Sequence, residues 1–288
     1  MDVSPGEFAN AALVLLGHGT TLNAESSAPV YSHAAELRRR HCFGEVQEAF
    51  WKQAPQVRDV LSKTSLPRLF LVPLFISEGY FSEEVIPRAL GFRTPAGFSR
   101  VQRRGAQTLV YAKPVGTHEN MTQVLLARAR EIVLEFPFPR VPKPQESTLI
   151  IAGHGTGQNL NSRKAIERQV ELIRAMRLYA DVHAVFMEEE PRIADCYTLA
   201  RTRHLVIVPF FISDGLHVQE DIPVLLGEPK PTVQERLQNR QPTWFNPTEK
   251  QGKWIWYAPS VGTAPLMVEV ILERVREAAG WPAGELAA

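Results

Sequence analysis

Three polar side chains in the second half of the chain each stand just past a short apolar run. They are His154 in Gly-His-Gly-Thr, Glu188 after Val-Phe-Met, and His217 in Ser-Asp-Gly-Leu-His. Two imidazoles and a carboxylate form a donor set for a divalent first-row metal such as Co²⁺, Fe²⁺, Ni²⁺ or Zn²⁺. Glu189 and Glu190 follow Glu188, so the carboxylate could be any of the three. Glu220 and Asp221 lie three and four residues past His217. If a helix starts there they share its face and can orient its ring. The alternative is that they are acids favoured by the positive end of a helix dipole.

The chain repeats itself, and the repeat selects Glu188. Residues 12–23 (ALVLLGHGTTLN) match 148–159 (TLIIAGHGTGQN), and 72–87 (VPLFISEGYFSEEVIP) match 208–223 (VPFFISDGLHVQEDIP), both at an offset of 136. In the second block nine of sixteen positions are identical, too many at a shared offset for chance, so the chain is an internal duplication. At that offset Phe50-Trp51-Lys52 aligns with Phe186-Met187-Glu188, which makes Glu188 the aligned carboxylate. The first copy has His18 but carries Lys52 and Phe81 in place of Glu188 and His217. It is a degenerate metal site, because a lysine repels a cation, although it could hold a substrate carboxylate. A lone histidine in a Gly-His-Gly turn is more often structural, and shared ancestry alone could repeat it.

These residues need a scaffold that brings three strand ends together. Apolar runs at 12–16, 45–51, 68–76 and 108–112 recur at 148–152, 181–187, 204–212 and 254–258, bounded by turn residues as buried strands are. Between them lie helical stretches such as 163–177, with Ile166, Val170, Ile173 and Met176 on one stripe. The alternation implies a parallel sheet with helices on both faces in each half. In such sheets ligands bind beyond the carboxyl ends of the strands, where His18, His154 and His217 fall. Val-Gly-Thr at 115–117 and 261–263 places a threonine to N-cap the helix expected at 118–133 or 264–279. The proline-rich segment 136–147 reads as a stiff linker. The domains expected are therefore 1–137, with the degenerate site, and 145–288, with the complete one. The offset grows to 146 at Val-Gly-Thr, so the second copy gained ten residues within 227–253. That stretch and 91–107, which holds Arg93, Arg100, Arg103 and Arg104, read as surface loops or as lids whose arginines meet carboxylates.

Composition narrows the partners. Lys+Arg number 32 against 31 Asp+Glu, which argues against a general nucleic-acid or membrane-surface binder. Cys42 and Cys196 form no Cys-x-x-Cys pair, so no zinc ribbon or cysteine-held cluster is encoded. They read as reduced thiols of a cytoplasmic protein. The N-terminus does not read as a secretory signal, and no apolar run has the ~20 residues of a membrane helix.

The Gly-His-Gly-Thr turn, the Phe-x-Glu strand end and Val-Pro-x-Phe-x-Ser-x-Gly-x-His-x-x-Glu-Asp-Ile-Pro, in this order, resemble the class II tetrapyrrole chelatases of the sirohydrochlorin cobalt- and ferrochelatase type. Members of that family occur as single-domain homodimers and as fused two-domain chains, and this chain looks like a fused form. The resemblance implies two duplicated flavodoxin-like, three-layer α/β domains with mostly parallel sheets facing a shared cleft for the macrocycle. It implies a lyase that inserts Co²⁺, or next Fe²⁺, into sirohydrochlorin for cobalamin or siroheme synthesis. The metal is a substrate, with no permanent cofactor, and the protein is a monomer or homo-oligomer with no nucleic-acid or membrane partner. His154 and His217 would bind the metal and accept pyrrole protons, with Glu188 as ligand or base. His18, Thr156, Arg163 and Ser213 are candidates for contacting the substrate, whose carboxylates need donors. A non-catalytic tetrapyrrole or metal carrier using the same cleft is the alternative, and an inactive paralogue is another. A histidine phosphatase would need an arginine before its histidine, where Gly17 and Gly153 stand.

Overall fold

The computed structural model describes residues 6–20, 26–95, 97–155 and 160–282. The chain forms two compact units, 1–118 with 267–288 and 119–266. Within the first unit the chain runs β1 (Phe8–Gly17), α1 (Ala28–Arg39), β2 (Phe43–Phe50), β3 (Arg68–Pro73), α2 (Ile86–Ala89), β4 (Arg93–Thr94), β5 (Gly97–Phe98), β6 (Val101–Arg104) and β7 (Gln107–Tyr111). The second unit starts with α3 (Met121–Glu135). It continues through β8 (Ser147–Gly153), α4 (Leu160–Met176), β9 (Asp181–Phe186), α5 (Cys196–Leu199), β10 (His204–Pro209), α6 (Ile222–Leu225), α7 (Lys230–Gln238), β11 (Thr248–Lys250) and β12 (Lys253–Tyr257). The last helix, α8 (Met267–Ala279), returns to the first unit.

Each sheet is built the same way. The first has the order β2-β1-β3-β7-β6 and the second β9-β8-β10-β12-β11. All neighbours are parallel except the edge pairs β6–β7 and β11–β12. This is the flavodoxin-like order with an antiparallel strand closing one edge. The central strands β1 and β8 are covered on both faces, which is why they read as continuous apolar runs rather than as alternating ones. Edge strand β6 instead exposes Arg103 and Arg104, which discourages pairing with another chain. On one face of the first sheet Val14, Leu16, Leu71, Ile86, Phe92 and Tyr111 form the core. The second sheet has Ile150, Ala152, Ile207, Ile222, Trp244 and Tyr257 in the equivalent layer.

The compact units are not the sequence repeats 1–137 and 145–288, because the final helices are exchanged. Helix α3 follows the first repeat but packs on β10, β12 and α4, and α8 follows the second repeat but packs on β3, β7 and α1. One arginine anchors each helix. Buried Arg274 of α8 donates to Pro114 O at 3.2 Å and Thr117 Oγ1 at 2.6 Å. Arg128 of α3 donates to Ser260 O at 3.2 Å and Thr263 Oγ1 at 2.8 Å. The Val-Gly-Thr threonines therefore do not cap the helices that follow them. The helices start later, at Met121 and Met267, and each threonine hydroxyl donates to a carbonyl three residues back while accepting from an arginine.

Both stretches expected as surface loops carry regular elements, although 239–247 is irregular. Among the described residues of 91–107, β4 pairs antiparallel with β5 and β6 follows, and 227–253 contains α7 and β11. Three of the four arginines in 91–107 bond within the fold, and Arg103 is exposed. Arg100 lies against both the Phe98 and Tyr111 rings and bonds Glu83 at 2.6 Å, Arg93 bonds Glu83 O at 2.8 Å, and Arg104 bonds Leu90 O. Arg236 of α7 lies over the Phe245 ring at 4.6 Å, while Trp244 is buried against Tyr257. Cys42 and Cys196 are free and buried, and burial pushes the Cys196 thiol up to about 12.

Candidate metal centre

In the second unit the three sequence-selected groups come from the carboxyl ends of three adjacent strands. His154 follows β8, Glu188 follows β9, and His217 ends the loop after β10. The turn after β8 is tight. Gly155 sits at φ +64°, and a Cβ there would meet Phe186 Cβ at 2.9 Å. The His154 carbonyl accepts the Met187 N–H at 3.0 Å and the Glu188 N–H at 3.1 Å, tying the two strand ends together. His217 opens a π-helical turn, His217–Asp221, in which the Ile222 N–H reaches the His217 carbonyl. Such single π turns are uncommon and concentrate at functional sites.

The geometry pairs the imidazoles. The His154 and His217 ring centroids are 4.9 Å apart and nearly perpendicular, at 85°. His217 Nδ1 lies 2.7 Å from Asp221 Oδ2, and His154 Nδ1 lies 3.0 Å from the Gly155 carbonyl. A carbonyl and a carboxylate can only accept, so both Nδ1 atoms carry the hydrogen. Both Nε2 atoms therefore keep a lone pair, for a metal or for a proton. The two side chains are 35% and 49% exposed, so the pair is open to an incoming ligand.

The structure separates the neighbouring carboxylates. Glu188 Oε2 approaches His154 Nδ1 at 3.8 Å. Glu189 turns instead to Arg163 at 3.3 Å, and Glu190 pairs with Arg192 at 3.2 Å. Asp221 holds the His217 ring, whereas Glu220 accepts from Gln234 Nε2 at 2.9 Å. Glu188 stands on the Nδ1 side of His154 and is exposed. Among the described residues no three His, Cys, Asp or Glu side chains are already gathered as a metal cage. The expected triad therefore converges without closing, because its carboxylate faces away from the two lone pairs.

The substrate candidates have different fates. Arg163 is engaged within the fold, by Glu167 at 2.8 Å, by Glu189, by Glu190 O at 2.8 Å and by the Phe186 ring. That makes it a clamp on the β9 end rather than a free donor. Ser213 lies half-buried in the loop after β10. Thr156 lies outside the described residues. In the first unit His18 meets Phe81 with centroids 4.6 Å apart at 84°, nearly the His154–His217 arrangement. Burial, then the charge of Lys52, lowers the His18 pKa below the usual imidazole value. Val85 occupies the position of Asp221, so the first unit lacks both the ring and the acid that would hold it. The π-helical turns and the anchoring arginines escaped sequence reasoning. The recurrence of Arg128 and Arg274 eleven residues after Val-Gly-Thr was the one available signal.

A duplicated flavodoxin-like fold with paired histidines at one set of strand ends defines a chelatase-type, metal-inserting enzyme. The chain belongs to the CbiX family, whose model matches residues 12–132 and again 148–278. A relative from Halobacterium salinarum, a probable sirohydrochlorin cobaltochelatase, is 40% identical over 286 residues, covering 95% of this chain and 93% of that protein. A sirohydrochlorin cobaltochelatase of Methanopyrus kandleri is 29% identical over 140 residues, 46% of this chain and 96% of its own. Among solved structures, a multi-domain protein of Deinococcus radiodurans with structural similarity to chelatases superposes with TM-score 0.74 at 27% identity. It covers 97% of this chain, which spans 57% of that one. SirB from Bacillus subtilis with Fe³⁺ superposes with TM-score 0.67 at 16% identity, covering 94% and 96%, and shares the fold.

Proposed function

We propose that the protein is a sirohydrochlorin chelatase that inserts Co²⁺, with Fe²⁺ the next choice, and that its working site is in the second unit. The paired Nε2 lone pairs of His154 and His217 carry this reading, and the cobaltochelatase description of the 40% identical relative favours cobalt. Cobalt would place the enzyme in cobalamin synthesis, and iron in siroheme synthesis. Insertion exchanges one M²⁺ for two pyrrole N–H protons. His154 and His217 first hold the ion and then, as it passes to the ring nitrogens, take up the released protons. Asp221 stabilises His217 as it gains that charge. Glu188, exposed and unclamped, swings to complete the ion's ligands or to relay a proton to solvent. His18, Thr156 and Ser213 are assigned to the substrate, and Arg163 to holding the β9 end in place.

Anaerobic insertion into sirohydrochlorin, followed by absorbance with Co²⁺ and Fe²⁺ in parallel, tests this. Wild type should turn over, faster with Co²⁺. His154→Ala and His217→Ala should fall to the metal-only background with unchanged thermal stability, and His18→Ala should lose less. Equal loss in His18→Ala would put the working site in the wrong unit, and no wild-type rate with either metal would remove the activity.

A further inference from the structure

The strand ends of the first unit carry a cluster that cannot serve a metal but is not inert. Lys52 is exposed, and no ion pair of its ammonium is found among the described residues. Its backbone N–H donates to the His18 carbonyl at 2.9 Å, so it sits against the histidine turn. Burial first, and the ammonium second, lower the His18 pKa and so favour the neutral imidazole. Next to them Phe81 packs edge-on against His18, and Tyr80 packs on Phe81 with centroids 5.9 Å apart. Tyr80 is 70% exposed, a large aromatic face left in water at a strand-end rim. Gln53 Oε1 accepts the Thr20 N–H at 3.0 Å and holds the far side of the turn. The position equivalent to Tyr80 in the second unit is Leu216, also 56% exposed. Both rims thus expose a large side chain, while the charge beside it is Lys52 in the first unit and Glu188 in the second.

An ammonium with no ion pair among the described residues, an imidazole held toward its neutral form and an exposed aromatic face, all at the strand ends of one sheet, suit a flat, conjugated ring that bears carboxylates. We infer that the Lys52–His18–Tyr80 cluster is a second, metal-free subsite, in which Lys52 pairs with a ring carboxylate and Tyr80 packs on the ring face. The identity of that ring as the tetrapyrrole rests on the function proposed above.

The experiment is a fluorescence titration of metal-free sirohydrochlorin into the full-length protein, with the insertion assay run on the same samples. Lys52→Met should weaken binding about 3–10-fold, Lys52→Arg should recover most of it, and Lys52→Glu should be weaker still. The wild-type advantage should shrink as salt rises from about 50 mM to 500 mM, because an exposed pair is screened. Tyr80→Ala should weaken binding by a similar factor while Tyr80→Phe leaves it unchanged, since the face and not the hydroxyl is used. Both side chains are exposed, so all variants should melt with wild type. If wild type inserts metal and Lys52→Met and Tyr80→Ala bind as tightly as wild type, the subsite is overturned and the chelatase reading stands. If wild type binds in a Lys52-dependent way without inserting metal, the subsite stands and the activity does not. If wild type binds no sirohydrochlorin, both fall.

Discussion

At the level of single residues, the site turns on which carboxylate faces which ring nitrogen. Asp221 accepts from His217 Nδ1 at 2.7 Å and so commits the Nε2 lone pair to chemistry. Glu220, one residue away, is held by Gln234. Asp221→Asn should therefore lower kcat for metal insertion about 10–100-fold with little change in KM for the tetrapyrrole. Glu220→Gln should stay within about 2-fold, and steady-state kinetics on the two variants separate the roles. If both variants fell equally, the acids would act on the local helix start and not on the ring. The sequence placed both acids near His217 but could not rank them, because a regular helical turn brings positions three and four residues on to the same face. The same holds at Glu188–Glu190. Alignment with Lys52 selected Glu188, and only coordinates reveal that Arg163 and Arg192 occupy the other two.

At the level of elements, the strands were legible because buried parallel strands are written as apolar runs, and β1, β3, β8 and β10 fall within a few residues of the expected spans. The π-helical turns were not, since an i→i+5 bond leaves no periodicity in five residues. The ten added residues read as polar loop because α7 buries only Val233 and so has no apolar stripe. The exchanged helices were illegible for a different reason. Both α3 and α8 are amphipathic, and an apolar stripe states that a helix must be covered, not which sheet covers it. What fixes α8 in place is visible only in three dimensions. Arg274 is 4% exposed and bonds the Pro114 carbonyl, the Thr117 hydroxyl and Glu277. Arg274→Ala removes the charge-assisted bonds to all three groups and empties the space of a side chain only 4% exposed, and should cost about 2–4 kcal/mol, read as a lower denaturant midpoint. Arg274→Lys should recover only part of this, because one ammonium cannot reproduce the guanidinium fork. A midpoint unchanged in Arg274→Ala would mean that apolar burial alone seats the helix.

At the level of the whole molecule, the exchange separates the repeated segment from the compact one. Repeat boundaries say that 145–288 is a domain, whereas the compact second unit is the continuous segment 119–266. The two fragments share residues 145–266 and differ in the helix they carry. Fragment 119–266 includes α3, with Met121, Val124, Leu125, Ala129, Ile132 and Val133 buried, and keeps the Trp256 indole bonded to Phe136 O at 2.8 Å. Each large apolar side chain is worth about 1.5–3 kcal/mol when buried, and a domain's net stability is only about 5–15 kcal/mol. Losing α3 therefore exceeds what the rest can absorb. Fragment 119–266 should fold as a monomer with a cooperative melt. Fragment 145–288 carries α8 in its place and lacks the Arg128 bonds to Ser260 and Thr263. It should fold only by exchanging α8 between two copies, with a melting temperature that rises with concentration. Sedimentation equilibrium and melts over a hundredfold range of concentration decide the matter. A stable, concentration-independent monomer of 145–288 would mean that α8 can cover either sheet, so that the exchange reflects connectivity rather than preference. A cooperative 119–266 beside a concentration-dependent 145–288 would establish that the fused chain is stabilised by the very crossing that its sequence repeats conceal.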